Sequence, residues 1–307
     1  MRLRTTLAVV AVSLVIAGSA AADIEIHEKH RFDARPGGTV VVDVSFHEVE
    51  VTAVPGSSVD VTVDVEIKGD GSSSRNFANK LQPKFLEEGD KLIVRSVRNG
   101  GWSWKSISAK GKVTVQMPPG MNLIIDSSSG GAVVSGDFGD ASVLFDASSG
   151  SLTVNGAMRE LHADTSSGSV RAAVMRPLDQ FSADASSGSV RLVGGARTAN
   201  VDTSSGSIDL AGLLGDAKLD SSSGSISGQW NAIPADATVR AGASSGSVTL
   251  TFPSRTDFVG WVDVSSGGIR SDFPGTTEKK HLTLTGGPGA VDIEVETSSG
   301  SVKLLAN

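Results

Sequence analysis

The chain has 307 residues, no cysteine, a formal net charge of −7, 36 glycines and only 5% aromatic residues. Zero cysteine excludes disulfides, and the acidic balance argues against nucleic acid and anionic membrane surfaces as partners. Many glycines and few aromatics point away from a large globular core and toward a narrow one built of small and β-branched side chains.

Residues 1–22 read as a targeting segment. Arg2 and Arg4 make a basic start, Leu7 to Ile16 is an apolar run too short to span a bilayer comfortably, and Ala20-Ala21-Ala22 precedes Asp23 as a small-residue cleavage site. Its removal leaves 25 basic against 34 acidic residues, a net charge of −9. No cysteine follows the site for a lipid anchor, and no second long apolar stretch exists. The expectation is an exported protein that does not span the membrane after signal removal, in the periplasm, at the cell surface or in the medium.

Residues 23–121 form the next expected region. Val40, Val42, Val44 and Phe46 share one strand face; Val49 and Val51 follow, then a Pro55-Gly56 turn and the alternating run Val59, Val61, Val63, Val65, Ile67. These are either first coils of a repeat or a β-sandwich-like cap. Ser73 to Gln82, with Phe77 and Leu81 four apart, is the single helix candidate, stopped by Pro83. A hairpin follows, with strands at 84–86 and 91–97. A Gly/Ser-rich loop from Arg98 to Lys112 carries Trp102 and Trp104, which share a face of an extended segment and read either as a core cap or as a sugar-stacking contact. Val113 to Met117 is a strand stopped by Pro118-Pro119.

From residue 122 to 307 one unit repeats. Ser-Ser-Gly recurs nine times with glycines at 130, 150, 168, 188, 206, 224, 246, 267 and 300, spaced 18 to 22 residues apart until a last interval of 33. Counting from each glycine, positions −7, −5, +2 and +4 are largely apolar and the positions between them largely polar. That is period-2 alternation on both sides of a corner. A unit of about 20 residues cannot bury its own face, so copies must stack at about 4.8 Å into a β-solenoid. Glycine is expected at the corner for a backbone angle that a Cβ would strain. The 33-residue interval suggests a degenerate coil at His281–Leu284 before Gly286-Gly287-Pro288-Gly289.

Position −4 is acidic in eight of the nine copies: Asp126, Asp146, Asp164, Asp184, Asp202, Asp220, Asp263 and Glu296, with Gly242 the exception. By parity it faces outward, and stacked carboxylates repel by roughly 1 kcal/mol per neighbouring pair even in water. Three readings stay open: each carboxylate bonds turn N–H groups or a nearby Arg or Lys; Asp146, Asp164, Asp184, Asp202 and Asp220 form a row of weak cation sites of the kind calcium takes; or twist breaks the column.

The β-rich start, Val-Thr-Val-Gln-Met-Pro at 113–118, the repeated Asp-x-Ser-Ser-Gly-Ser-Val and the closing Gly-Gly-Pro-Gly-Ala-Val-Asp-Ile-Glu-Val-Glu-Thr-Ser-Ser-Gly-Ser-Val together resemble the bacterial DUF4097 family of β-strand-repeat proteins. The resemblance covers roughly residues 35–307. It implies an all-β, right-handed β-solenoid of about 20-residue coils with an N-terminal β-rich cap carrying one short helix, in a cell-envelope or extracellular setting. The family bears the name adhesin by analogy and has no agreed catalytic residues.

No Gly-x-Ser-x-Gly elbow stands in a strand-to-helix setting and no phosphate-binding Gly-x-x-x-x-Gly-Lys occurs. His27 and His30, three apart, lack a third metal ligand and read as part of a solvated tail. Asp164, Asp184, Arg171 and Arg191 mimic the carboxylate and arginine faces of polysaccharide-degrading β-helices, but they repeat in register where an active site should stand out. The expected function is therefore non-enzymatic, with no cofactor: an adhesion, scaffold or envelope-interaction module whose partner is an envelope protein or a glycan surface. A carbohydrate-binding or polysaccharide-degrading β-helix and a periplasmic protein-binding factor are the alternatives.

Overall fold

A computed structural model describes residues 23–69, 71–97 and 107–307, together with the backbone of Ala11–Val12. Most of the targeting segment and both Trp102 and Trp104 lie outside the described residues. The chain divides into two compact units, the first ending at Ala141 and the second running Ser142–Asn307. Among the described residues no helix is long and apolar enough to cross a membrane.

In the first unit the strands Thr39–Val44 and Glu48–Ala53 make one coil. Each lies parallel to its counterpart in Asn122–Ser127 and Ala132–Asp137 on one side and in Lys91–Ser96 and Ala109–Met117 on the other. The first coil in sequence is thus a middle coil in space. Antiparallel strands finish this unit: Ser58–Ile67 pairs with Ala109–Met117, Ile24–Asp33 pairs with Ser58–Ile67, and Lys84–Glu88 pairs with Lys91–Ser96. Residues 23–72 therefore combine a solenoid coil and an antiparallel cap. The helix spans Ser72–Leu81 and buries Ser74, Phe77, Ala78 and Leu81, the i, i+3, i+4, i+7 face. His27 and His30, read above as part of a tail, sit on Ile24–Asp33 and face opposite sides of it.

The second unit is built of two parallel ladders. One runs through Ser142–Ala147, Glu160–Thr165, Leu178–Ala185, Ala196–Thr203, Asp216–Ser221 and Thr238–Ala243. The other runs through Leu152–Ala157, Val170–Val174, Val190–Val193, Ile208–Leu213, Ile226–Trp230 and Val248–Phe252. Alternate residues such as Leu161, Phe181, Val190 and Leu210 are fully buried between the ladders. The corners join the ladder too. At six corners the second serine of the Ser-Ser-Gly donates its N–H to the carbonyl of the first serine of the neighbouring coil, as Ser187 to Ser166 and Ser205 to Ser186 at 3.0 and 2.9 Å. Every coil thus pairs backbone with the next along most of its circumference, the condition for a solenoid.

The order of coils departs from the order of the chain near its end. Strands Val291–Ser299 and Val302–Ala306 pair with Thr238–Ala243 and Val248–Phe252 on one side and with Phe258–Ser266 and Ile269–Ser271 on the other. The coil of Gly300 thus lies between those of Gly246 and Gly267. The stretch expected as a degenerate coil is instead a strand, His281–Thr285, antiparallel to Phe258–Ser266, with Thr276–Glu278 antiparallel outside it. Antiparallel strands thus finish this ladder, while the short parallel strand Ile269–Ser271 ends the other.

Candidate functional site

The corner glycines are required for closeness rather than for backbone angle. Among the repeat glycines whose corners are described, only Gly267 has φ in the left-handed half of the map, at 138°. A Cβ on Gly168, Gly188, Gly206, Gly224 or Gly246 would instead lie 1.5–1.9 Å from the carbonyl oxygen of the corner glycine one coil back. The expectation of a strained corner angle is thus corrected: Gly stands there because backbone presses on backbone.

Beneath the corner lies a column that sequence reading passed over. Position −3 is buried and carries a hydroxyl in Ser127, Thr165, Thr203, Ser221 and Thr297, with Ala147, Ala185, Ala243 and Val264 at the other corners. Thr165 Oγ1 donates to the Gly150 carbonyl at 3.0 Å and accepts from Gly168 N–H at 2.9 Å; Ser221 bridges Gly206 and Gly224 likewise at 3.1 and 2.8 Å. At Gly130, Gly168 and Gly224 the corner N–H is thus satisfied from inside by position −3, not from outside by position −4. The available signal was the small polar residue recurring on the apolar parity.

Position −4 forms an unbroken outward register in this unit. Asp146, Asp164, Asp184, Asp202 and Asp220 are direct neighbours across successive strands, followed by Gly242, Glu296 and Asp263. Twist does not break the column. Lys218 approaches Asp220 at 3.9 Å and His281 pairs with Asp263 at 2.7 Å. Among the described residues no side chain pairs with Asp146, Asp164, Asp184 or Asp202. In the first unit Arg95 Nε lies 2.7 Å from Asp43, which is registered with Asp126. Partial burial, then the charges of Asp164 and Asp202, push the Asp184 carboxyl above its ordinary range. For Asp220 burial acts first; Lys218 opposes it, and Asp202 and Glu296 reinforce it. At Gly242 the missing side chain leaves a depression of about 340 Å³ bordered by Asp202, Asp220, Asp263 and Glu296.

A model of the family described as Toastrack DUF4097 matches residues 40–305. The chain belongs to the Toastrack DUF4097 family. A crystal structure from Parabacteroides distasonis ATCC 8503, described as a "putative lipid binding protein", is similar over 91% of this Toastrack chain and 96% of its own, with TM-score 0.52 and 14% identity. That likeness shows the fold. Structures described as "putative adhesin" from Bacteroides fragilis NCTC 9343 and from Parabacteroides distasonis give TM-scores of 0.44 and 0.42 at 11% and 15% identity, covering 91% and 90% of this chain and 97% and 96% of theirs. No curated protein matches.

The remaining candidates fall in different places on the Toastrack scaffold. Trp102 and Trp104 lie outside the described residues. His27 Nδ1 bonds Asp64 at 2.5 Å on the outer face, whereas His30 bonds Glu28 at 3.3 Å and packs on the Phe85 ring at 3.9 Å, so the two cannot share a metal. Among the described residues no three His, Asp or Glu side chains converge as a metal would need, and the weak candidates Asp146 to Asp220 form a line rather than a cage. A hollow of about 750 Å³ in the first unit is lined by Ile26, Phe46 and Val65 together with Asp64, Glu66 and Lys112.

The carboxylate column gives a testable sign. A carboxyl whose folded pKa is raised holds its proton more tightly when folded, so stability rises as pH falls through the raised pKa and the full penalty is present above it. Asp184→Asn should therefore stabilise the protein at pH 7, by about 1–2 kcal/mol from two neighbour repulsions at low salt, and by less in 1 M NaCl. Paired denaturant titrations at both salt concentrations measure this.

Proposed function

We propose that this chain is an exported, non-enzymatic β-solenoid that works as an adhesion or scaffold module, holding an envelope protein or glycan surface through its repeated outer columns. The observation carrying this reading is the unpaired carboxylate register of Asp146, Asp164, Asp184 and Asp202, flanked by exposed serines at every corner. Identical groups presented at a fixed spacing suit weak, multivalent contact with an extended partner, in which many small terms combine. A reaction centre needs unlike groups converging on one point. The basic start and small-residue cleavage site of residues 1–22 support export.

The test is capture of purified protein on immobilised envelope fractions and on a glycan array. Wild type should bind with a strong dependence on salt, and a triple Asp164→Asn, Asp184→Asn, Asp202→Asn variant should lose most of that binding while keeping its fold. Turnover of an acidic polysaccharide would overturn the reading. Binding abolished by Trp102→Ala and Trp104→Ala, with the triple variant unaffected, would replace it by the carbohydrate-binding alternative.

A further inference from the structure

His47 occupies a place that every later coil gives to glycine. Val49 registers with Ala132, two residues past Gly130, so His47 lies beside Gly130 in the corner column. A Cβ on Gly130 would lie 1.7 Å from the His47 carbonyl, and one on Gly111 would lie 2.3 Å from the imidazole Cδ2. Two glycines thus make room for a ring that is wholly buried.

The ring has one polar partner. Nε2 lies 3.2 Å from Ser96 Oγ, and that hydroxyl donates to the Leu81 carbonyl, also at 3.2 Å, at the last residue of the helix Ser72–Leu81. With the Ser96 proton committed to Leu81, the hydroxyl accepts from Nε2–H and Nδ1 is left as a bare acceptor. Nδ1 is buried with no hydrogen-bond partner. Phe46 stacks on the imidazole at 4.5 Å and meets the helix through Phe77 at 6.3 Å. The charges on the packed elements are Asp43, Glu48 and Glu50 on its own coil, Lys91, Arg95, Lys110 and Lys112 on the adjoining strands, Asp126 beside the Gly130 corner, and Arg75 and Lys80 on the helix. Asp43 and Glu50 are half-buried and the others exposed, and burial alone shifts the ring.

We propose that His47 is an acid latch: a proton on Nδ1 creates a buried N–H with nothing to receive it, the ring leaves its slot, the chain of bonds through Ser96 to Leu81 breaks, and the helix Ser72–Leu81 is released from the first unit. Neutral imidazole holds the latch closed, and the apolar helix face of Phe77, Ala78 and Leu81 is what opening uncovers.

The sign follows from burial, which lowers the His47 pKa from 6.5 to about 4. A group protonated more easily when released binds extra protons on opening, so opening is favoured below pH 6.5 and increasingly so down to about 4. Across that window the opening equilibrium should rise by about two orders of magnitude. The Asp23 carboxyl, bonded first by Lys68 and held below 3.8, loses its contribution only below that value, outside the window.

Hydrogen exchange on the full chain between pH 7 and 4, corrected for intrinsic rates, should show protection lost in peptides covering 72–81 and 91–96 and no such loss in residues 142–307. His47→Phe should remove that acid response. Retention of the response in His47→Phe, or wild-type protection unchanged down to pH 4, would overturn the latch. If His47→Phe does not fold, an NMR titration of the wild-type imidazoles decides. His47 should charge only well below the ordinary imidazole value of 6.5, with helix protection falling as it does. Titration of His47 at that ordinary value, or charging without loss of helix protection, refutes it.

Discussion

Gly188→Ala is expected to destabilise the protein by at least about 4 kcal/mol or to prevent folding, because the added methyl has nowhere to go. Its Cβ would lie 1.5 Å from the Gly168 carbonyl oxygen, 2.4 Å from that carbonyl carbon and 2.9 Å from Ser169 N. All three are backbone atoms inside a parallel ladder, so no rotamer change relieves the clash. Relief requires separating the two coils, which stretches the hydrogen bonds on both sides of the corner. The neighbouring Ser187 is exposed, and Ser187→Ala should stay within about 0.5 kcal/mol of wild type. The contrast between adjacent positions of one corner separates a close-approach requirement from general sensitivity of the turn. Guanidinium titration followed by circular dichroism measures both. A Gly188→Ala protein with a wild-type midpoint would refute the stacked-corner geometry.

The second large effect is expected at Trp230. It is the bulkiest side chain wholly buried among the described residues, its indole N–H donates to the Gly215 carbonyl at 2.8 Å, and its ring stacks on Phe252 at 4.4 Å. Phe252 in turn meets Phe258 edge-on at 4.8 Å, and Phe258 meets Phe273 at 4.9 Å. These aromatics form one cluster at the ends of the strands Ile226–Trp230 and Val248–Phe252 and the start of Phe258–Ser266. Trp230→Ala removes the ring and leaves a cavity that rigid ladders cannot close, a loss of about 3–5 kcal/mol. Trp230→Phe keeps most of the packing but leaves the Gly215 carbonyl without its donor, at a cost of about 1–3 kcal/mol. Denaturant titration of both variants should rank them in that order. Equal losses would assign the whole effect to the hydrogen bond.

The acid latch and the carboxylate column act in opposite directions on the same axis. Lowering the pH relieves Asp184 and Asp220 but charges His47, so mild acid should firm the second unit while loosening the first. Each unit therefore needs its own probe, since a single melting curve would blend the two.

Much of the candidate site was legible beforehand. Parity alone put Asp146 to Asp220 on the outside, and the constant spacing put them in one register. What stayed hidden was how their charge is handled. Spacing along the chain does not say that the inward hydroxyls of Thr165 and Ser221 take the N–H groups of Gly168 and Gly224, nor that among the described residues no side chain pairs with Asp146, Asp164, Asp184 or Asp202. His47 was equally hidden: a lone histidine between a Phe and a Glu has no local mark of burial, and its slot exists only because Gly111 and Gly130 arrive from strands more than sixty residues away.

The amino-acid sequence by itself determined the strands, the coil length, the single helix and which face of each strand is dry. Those follow from period-2 alternation, corner residues and the inability of a 20-residue unit to bury its own face. Tertiary structure alone decided which coil neighbours which. Nearly identical coils offer nearly identical edges, so local pattern cannot choose between Thr238–Ala243 pairing with Phe258–Ser266 and both pairing with Val291–Ser299. The choice rests on contacts far apart in sequence. Gly260 and Gly267, both at φ 138°, bring their strand against Ile293 and Gly300, and the antiparallel Thr276–Thr285 hairpin then covers the outer edge of that strand.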